Sequence, residues 1–127
     1  MPSYDASHFA PPAPATQVTL RDPQNGATVS NVLMLLDTGA DVTLLPRSAV
    51  ERLGISLAAG QQSELMSYDG SKSSAPVAIL DMIFLGRAYR GRYVLIEEEC
   101  GILGRDILNQ VTLLLDGPRL QWSEHSP

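Results

Sequence analysis

Cysteine is almost missing from this chain: Cys100 is the single one among 127 residues. An internal disulfide framework is therefore excluded, and a reducing compartment suits the protein. Basic residues are also short, nine Lys and Arg against fourteen Asp and Glu, for a net charge of −5. That balance argues against a nucleic acid or an anionic membrane as partner. No apolar run reaches the length of a membrane span. The opening "MPSYDASHFAPPAPATQ" has neither the basic start nor the apolar stretch of a secretory signal, so the cytoplasm is the expected location. The two histidines, His8 and His125, sit far apart with no metal-ligand spacing, and neither a metal nor a cofactor is expected.

What the chain does contain is an ordinary globular composition, 44% hydrophobic and 18% charged. Its length allows one domain with a single modest core. Residues 1–16 are rich in Pro, Ala and Ser and read as a flexible arm, residues 17–123 as the domain, and residues 124–127 as a tail. Short apolar runs punctuated by turn signals predict an all-β body. Residues 17–20 and 28–37 form a hairpin across the Asn-Gly of "DPQNGA". Residues 46–54 are the clearest helix, with Pro46 in its first turn and Gly54 closing it. Residues 61–80 read as a long hairpin with its tip at Asp69-Gly70, and residues 81–98 as two further strands around a Gly-Arg turn. Residues 102–110 have helical spacing after Gly104, and residues 111–123 form a last hairpin through Asp116-Gly117-Pro118.

The informative stretch is "LMLLDTGADVTLLP", residues 33–46. An apolar strand runs straight into Asp37, and a carboxylate at the end of a buried segment is costly unless something pairs with it. Gly39 permits a tight turn just beyond, with close approach of the backbone. Asp-Thr-Gly alone could be a plain turn, since a match of three residues arises easily by chance.

Together with "GILGRDIL" later in the chain, however, "LLDTGADVTLLP" resembles the paired signature of the retropepsin-like aspartic proteases. That family includes the retroviral enzymes and small single-domain bacterial relatives, and the helix and closing hairpin look more like the latter. The resemblance covers residues 17–122 and implies an all-β, retropepsin-like fold: a closed or partly open barrel-like monomer with one or two short helices, active as a homodimer. It implies that Asp37, Thr38 and Gly39 form the catalytic loop, with Thr38 bonding across the dimer. Leu35, Ala40, Asp41 and Ile102 would line the substrate groove. Tyr68, Asp69 and Gly70 would be the tip of a flap, although the glycine-rich viral tip is absent. Leu103, Gly104, Arg105 and Asp106 would support the loop from beneath, with Arg105 paired to Asp41.

The chemistry explains the lone signature. Two neighbouring carboxylates cannot both ionise freely, so one serves as base and the other as acid around a shared water. A chain with one Asp-Thr-Gly and no room for a second lobe would borrow its second Asp37 from another copy. The expected activity is therefore an aspartic endopeptidase, with a peptide or protein substrate. Two other classes compete. A non-catalytic peptide-binding or dimerisation module could use the same fold, but would not need Asp37. A metal or phosphoryl-transfer site on Asp37 and Asp41 lacks clustered carboxylates and a phosphate-cradling loop.

Overall fold

The computed structural model describes residues 2–55, 62–66 and 72–125. Among these residues, nine strands and two short helices follow in order: β1 (Ala15–Arg21), β2 (Thr28–Leu36), β3 (Leu44–Pro46), α1 (Arg47–Arg52), β4 (Gln62–Met66), β5 (Lys72–Phe84), β6 (Arg87–Ile96), β7 (Gly101–Leu103), α2 (Arg105–Leu108), β8 (Leu113–Asp116) and β9 (Gln121–Glu124). The main sheet runs β1-β2-β7-β3-β6-β5-β4 and closes on itself where β1 also pairs with β5. Closure covers the edge that β1 would otherwise expose, while β4 extends the far part of β5.

Alternation along the strands sets what the barrel encloses. Val18, Leu20, Val32, Met34, Leu80, Met82, Tyr93 and Leu95 point inward and are buried. Leu33 and Leu35 take the other face of β2 and are half-buried. Pro46 ends β3 and starts α1, which lays Ala49 and Val50 on the core. Glycine 54, at φ +87°, then turns the chain away, as its place after the helix foretells. The expected all-β architecture and its two short helices are present.

Three details differ from the sequence reading. β5 runs unbroken for 13 residues, where the sequence suggests a break before Asp81. That carboxylate sits on the outer face between two partners, pairing in register with Arg21 on β1 and Arg90 on β6, and both guanidiniums reach it at 2.9 and 2.8 Å. Charge that would interrupt an isolated strand is thus neutralised across the sheet. β3 and β7, three residues each, are too short for a periodic signal and form only by pairing with their neighbours.

The third detail concerns the N-terminal arm. Ser3 bridges to Gln121, the Tyr4 N–H donates to the Leu120 carbonyl and the Trp122 N–H to the Pro2 carbonyl, so residues 2–4 extend the β8–β9 hairpin. That hairpin is held to the barrel by Trp122, which is 1% exposed, donates its indole N–H to the Ala15 carbonyl at 2.9 Å and packs against Phe84. Arg87 pairs with Glu124 from the far side. Among the described residues, no helix is long and apolar enough to cross a membrane.

Candidate active site

β2 delivers Asp37 just past its last residue, and β7 runs parallel beside it with Leu35 opposite Ile102 and Leu36 opposite Leu103. The Asp37 N–H donates to the Leu103 carbonyl at 3.0 Å, which continues the ladder one step beyond the strand. The chain then turns tightly: the Gly39 N–H donates to Asp37 Oδ1 at 2.9 Å and the Ala40 N–H to the Asp37 carbonyl at 3.2 Å. A side chain at position 39 would press on that same carboxylate oxygen, 3.1 Å from an added Cβ. The loop therefore presents one half-exposed carboxylate, already accepting one backbone hydrogen bond, with Thr38 and Gly39 exposed beside it.

The segment after β7 holds this loop from beneath. Arg105 donates its backbone N–H to the Ala40 carbonyl at 2.9 Å and its guanidinium Nη1 to the Thr38 carbonyl at 2.7 Å. Asp106 receives the Thr43 hydroxyl at 2.6 Å and the Thr43 N–H at 3.1 Å, while the Gly104 N–H donates to the Thr43 hydroxyl oxygen at 3.1 Å. Gly104 lies so near the loop that an added Cβ would stand 2.5 Å from the Val42 carbonyl oxygen. Leu103 is fully buried and seals the base of the site into the core.

The structure thus brings together Leu35, Asp37, Thr38, Gly39, Ala40 and residues 102–106. One expected contact is corrected. Among the described residues Asp41 and Arg105 form no ion pair, because the guanidinium is turned to the Thr38 carbonyl and Asp41 is exposed. Tyr68, Asp69 and Gly70 lie outside the described residues. Thr43, 2% exposed, is a supporting residue that the sequence reading passed over, since a threonine inside an apolar run looks like a strand residue. Its hydroxyl is the hinge of the Asp106–Gly104 network.

Cys100 borders the groove, half-buried, and burial pushes its thiol up, which disfavours the nucleophilic thiolate near neutral pH. Among the described residues, no cluster of three or more His, Cys, Asp and Glu could hold a metal ion.

Comparison with known proteins agrees with this geometry. The profile of the family described as aspartyl protease matches residues 17–107. The protease of the equine virus EIAV, solved in complex with the inhibitor HBY-793, superposes with a TM-score of 0.57 at 26% identity, covering 77% of this chain and 86% of that one. The foamy viral protease-reverse transcriptase, solved with an RNA/DNA hybrid, aligns over 74% of this chain and 11% of its own at 15% identity and a TM-score of 0.49. No curated protein matches. With the signature loop, its supporting segment and the closed barrel in place, the chain belongs to the aspartyl protease family and carries the retropepsin-like, viral-type fold.

Proposed function

We propose that this protein is an aspartic endopeptidase whose active centre forms when two copies bring their Asp37 side chains together. The observation that carries the reading is a single carboxylate on a loop braced at Thr38, Ala40 and Thr43, in a chain with one Asp-Thr-Gly. Such bracing fixes a group in position rather than merely satisfying a turn. Across a two-fold axis the two carboxylates share one proton and hold a water between them. The ionised one takes a proton from the water as it attacks the scissile carbonyl. The protonated one donates to the developing oxyanion. Thr38, exposed beside the carboxylate, is placed to bond across to the other loop, and Leu35, Ala40, Asp41 and Ile102 to flank the peptide. Asp41, free of Arg105, keeps its carboxylate for a backbone N–H of the substrate. Tyr68, Asp69 and Gly70 are assigned by family resemblance to the covering flap.

Subunit exchange tests the shared centre. Asp37→Asn protein is inactive alone but still dimeric. Mixed in equal amount with wild type, it captures half of the wild-type chains in one-carboxylate dimers, so peptide cleavage falls to about half. An unchanged rate after verified exchange rejects the two-chain centre. An active Asp37→Asn protein rejects the aspartic mechanism itself.

A further inference from the structure

The Pro/Ala-rich segment ahead of β1 does more than lead into the barrel. Residues 5–13 form a hook closed at its neck by paired backbone bonds, the Asp5 N–H to the Ala13 carbonyl at 2.8 Å and the Ala13 N–H to the Asp5 carbonyl at 3.1 Å. Inside the neck the Asp5 carboxylate accepts from the Ser7 and His8 N–H groups, each at 2.8 Å, and meets His8 Nδ1 at 3.0 Å. These donors hold the Asp5 carboxyl down at about 2, foremost through the His8 N–H, so the clamp stays charged across ordinary pH. The foot of the hook is fixed one residue from the reacting carboxylate, because the Leu36 N–H donates to the Pro14 carbonyl at 3.0 Å.

The tip of the hook faces the groove. His8 and Phe9 complete a cavity of about 410 Å³ with Leu35, Cys100, Ile102 and the two glutamates Glu98 and Glu99. Leu35 and Ile102 stand opposite each other on β2 and β7, two steps before the catalytic turn. The floor and one wall are apolar. The rim carries two exposed carboxylates with no ion pair among the described residues, whereas the neighbouring Glu97 is engaged by Arg47. An apolar stem under a cationic head fits that arrangement, since lysine and arginine lay their methylenes on apolar surface and keep the charge at the edge. The net charge of −5 adds an attraction for basic peptides at longer range.

We propose that the hook is the outer wall of a substrate side-chain pocket, in which Phe9, Leu35 and Ile102 hold the stem and Glu98 and Glu99 the head of a lysine or arginine. This rests on the peptidase reading for the word substrate, but not for the binding preference. The hook is a built wall and not a displaced substrate mimic, because its neck is closed on itself and its start is paired with β9. Asp5 acts as a positioning residue, by holding Phe9 against the groove.

Binding to the non-cleaving Asp37→Asn protein separates the two ideas. Blocked hexapeptides that differ only in one central residue, Arg, Leu or Glu, are titrated calorimetrically. The Arg peptide should bind roughly tenfold tighter than the Leu peptide, about the effect of one partly screened charge pair, and the Glu peptide weakest. Replacing both Glu98→Gln and Glu99→Gln should bring Arg and Leu peptides to similar affinity. Phe9→Ala should weaken both, and Asp5→Ala should do the same without altering the melting of the barrel. Equal affinity for Arg and Leu in the parent protein overturns the proposal, as does a Phe9→Ala protein that binds both unchanged. Cleavage of the same peptides by wild type reads the other idea. Absent cleavage with the Arg preference intact sinks the peptidase reading alone, and cleavage with no basic preference sinks the pocket alone.

Discussion

At the scale of single residues, Asp81 is the one buried charged group among the described residues, 2% exposed on the outer wall of the barrel. Hydrogen bonds from Arg90, and then from Arg21, hold its carboxyl below the ordinary 3.8 despite the burial that opposes them. A folded value below the unfolded one stabilises the fold at pH above the unfolded value, and that contribution is lost as pH falls through the folded value. Asp81→Asn should therefore lower the melting temperature at neutral pH, by about 2 kcal/mol for hydrogen bonds to a charged group, and flatten the loss of stability as pH falls below the ordinary carboxylate value of 3.8. An unchanged acid slope in a folded Asp81→Asn protein would show that other carboxylates carry it. Removing the cations is the harsher change. Both arginines are partly exposed and can turn to water when Asp81 is lost, whereas Asp81 left without Arg21 and Arg90 stays buried as an unpaired charge. The pair Arg21→Met and Arg90→Met should thus melt below Asp81→Asn, as differential scanning calorimetry can read.

At the scale of elements, the segment from β7 into α2 acts as a bed for the Asp37 loop. Gly104 is there for lack of room: the Val42 backbone occupies the place of a side chain. Gly104→Ala should cost about 1–3 kcal/mol by overpacking and should lower kcat more than it raises KM, since the loop itself is displaced. Arg105→Ala removes the bond to the Thr38 carbonyl, at about 1–2 kcal/mol for a charge-assisted contact near the surface. Activity should drop several-fold while Arg105→Lys, a compact ammonium without the planar fork, restores only part of it. Unchanged kinetics in Arg105→Ala would mean the loop holds its shape by its own turn. How far these elements could be read in advance follows from their physics. Asp37 to Gly39 and residues 102–106 announce themselves because chemistry and close packing restrict the residue types allowed there. The hairpins at residues 17–37 and 111–123 show through turn chemistry. The sequence suggests an Arg105–Asp41 pair that does not form, because a guanidinium can choose between a carboxylate and a carbonyl, and only the folded loop decides which lies nearer. β3, β7 and the seating of the arm leave no local signal for a related reason: they exist through pairing with distant strands.

At the scale of the whole molecule, the β1–β5 seam closes the barrel and the β8–β9 hairpin, joined by residues 2–4, lies across it. Leu114, Leu115 and Leu120 are exposed on this hairpin, at 53%, 53% and 43%. The anchor of the assembly is Trp122, and it is the only tryptophan in the chain. Its indole is dry, hydrogen-bonded and close to Phe84. Emission from that one ring is consequently an optical gauge of a single event, the seating of the hairpin on the barrel. A blue-shifted spectrum reports the hairpin in place, and a red shift that precedes the loss of β-sheet circular dichroism on heating reports it lifting away first. Because residues 2–4 pair with the same hairpin, deleting them should bring the red shift to a lower temperature while the barrel signal holds. The protein carries its own fluorophore at the joint between its ends.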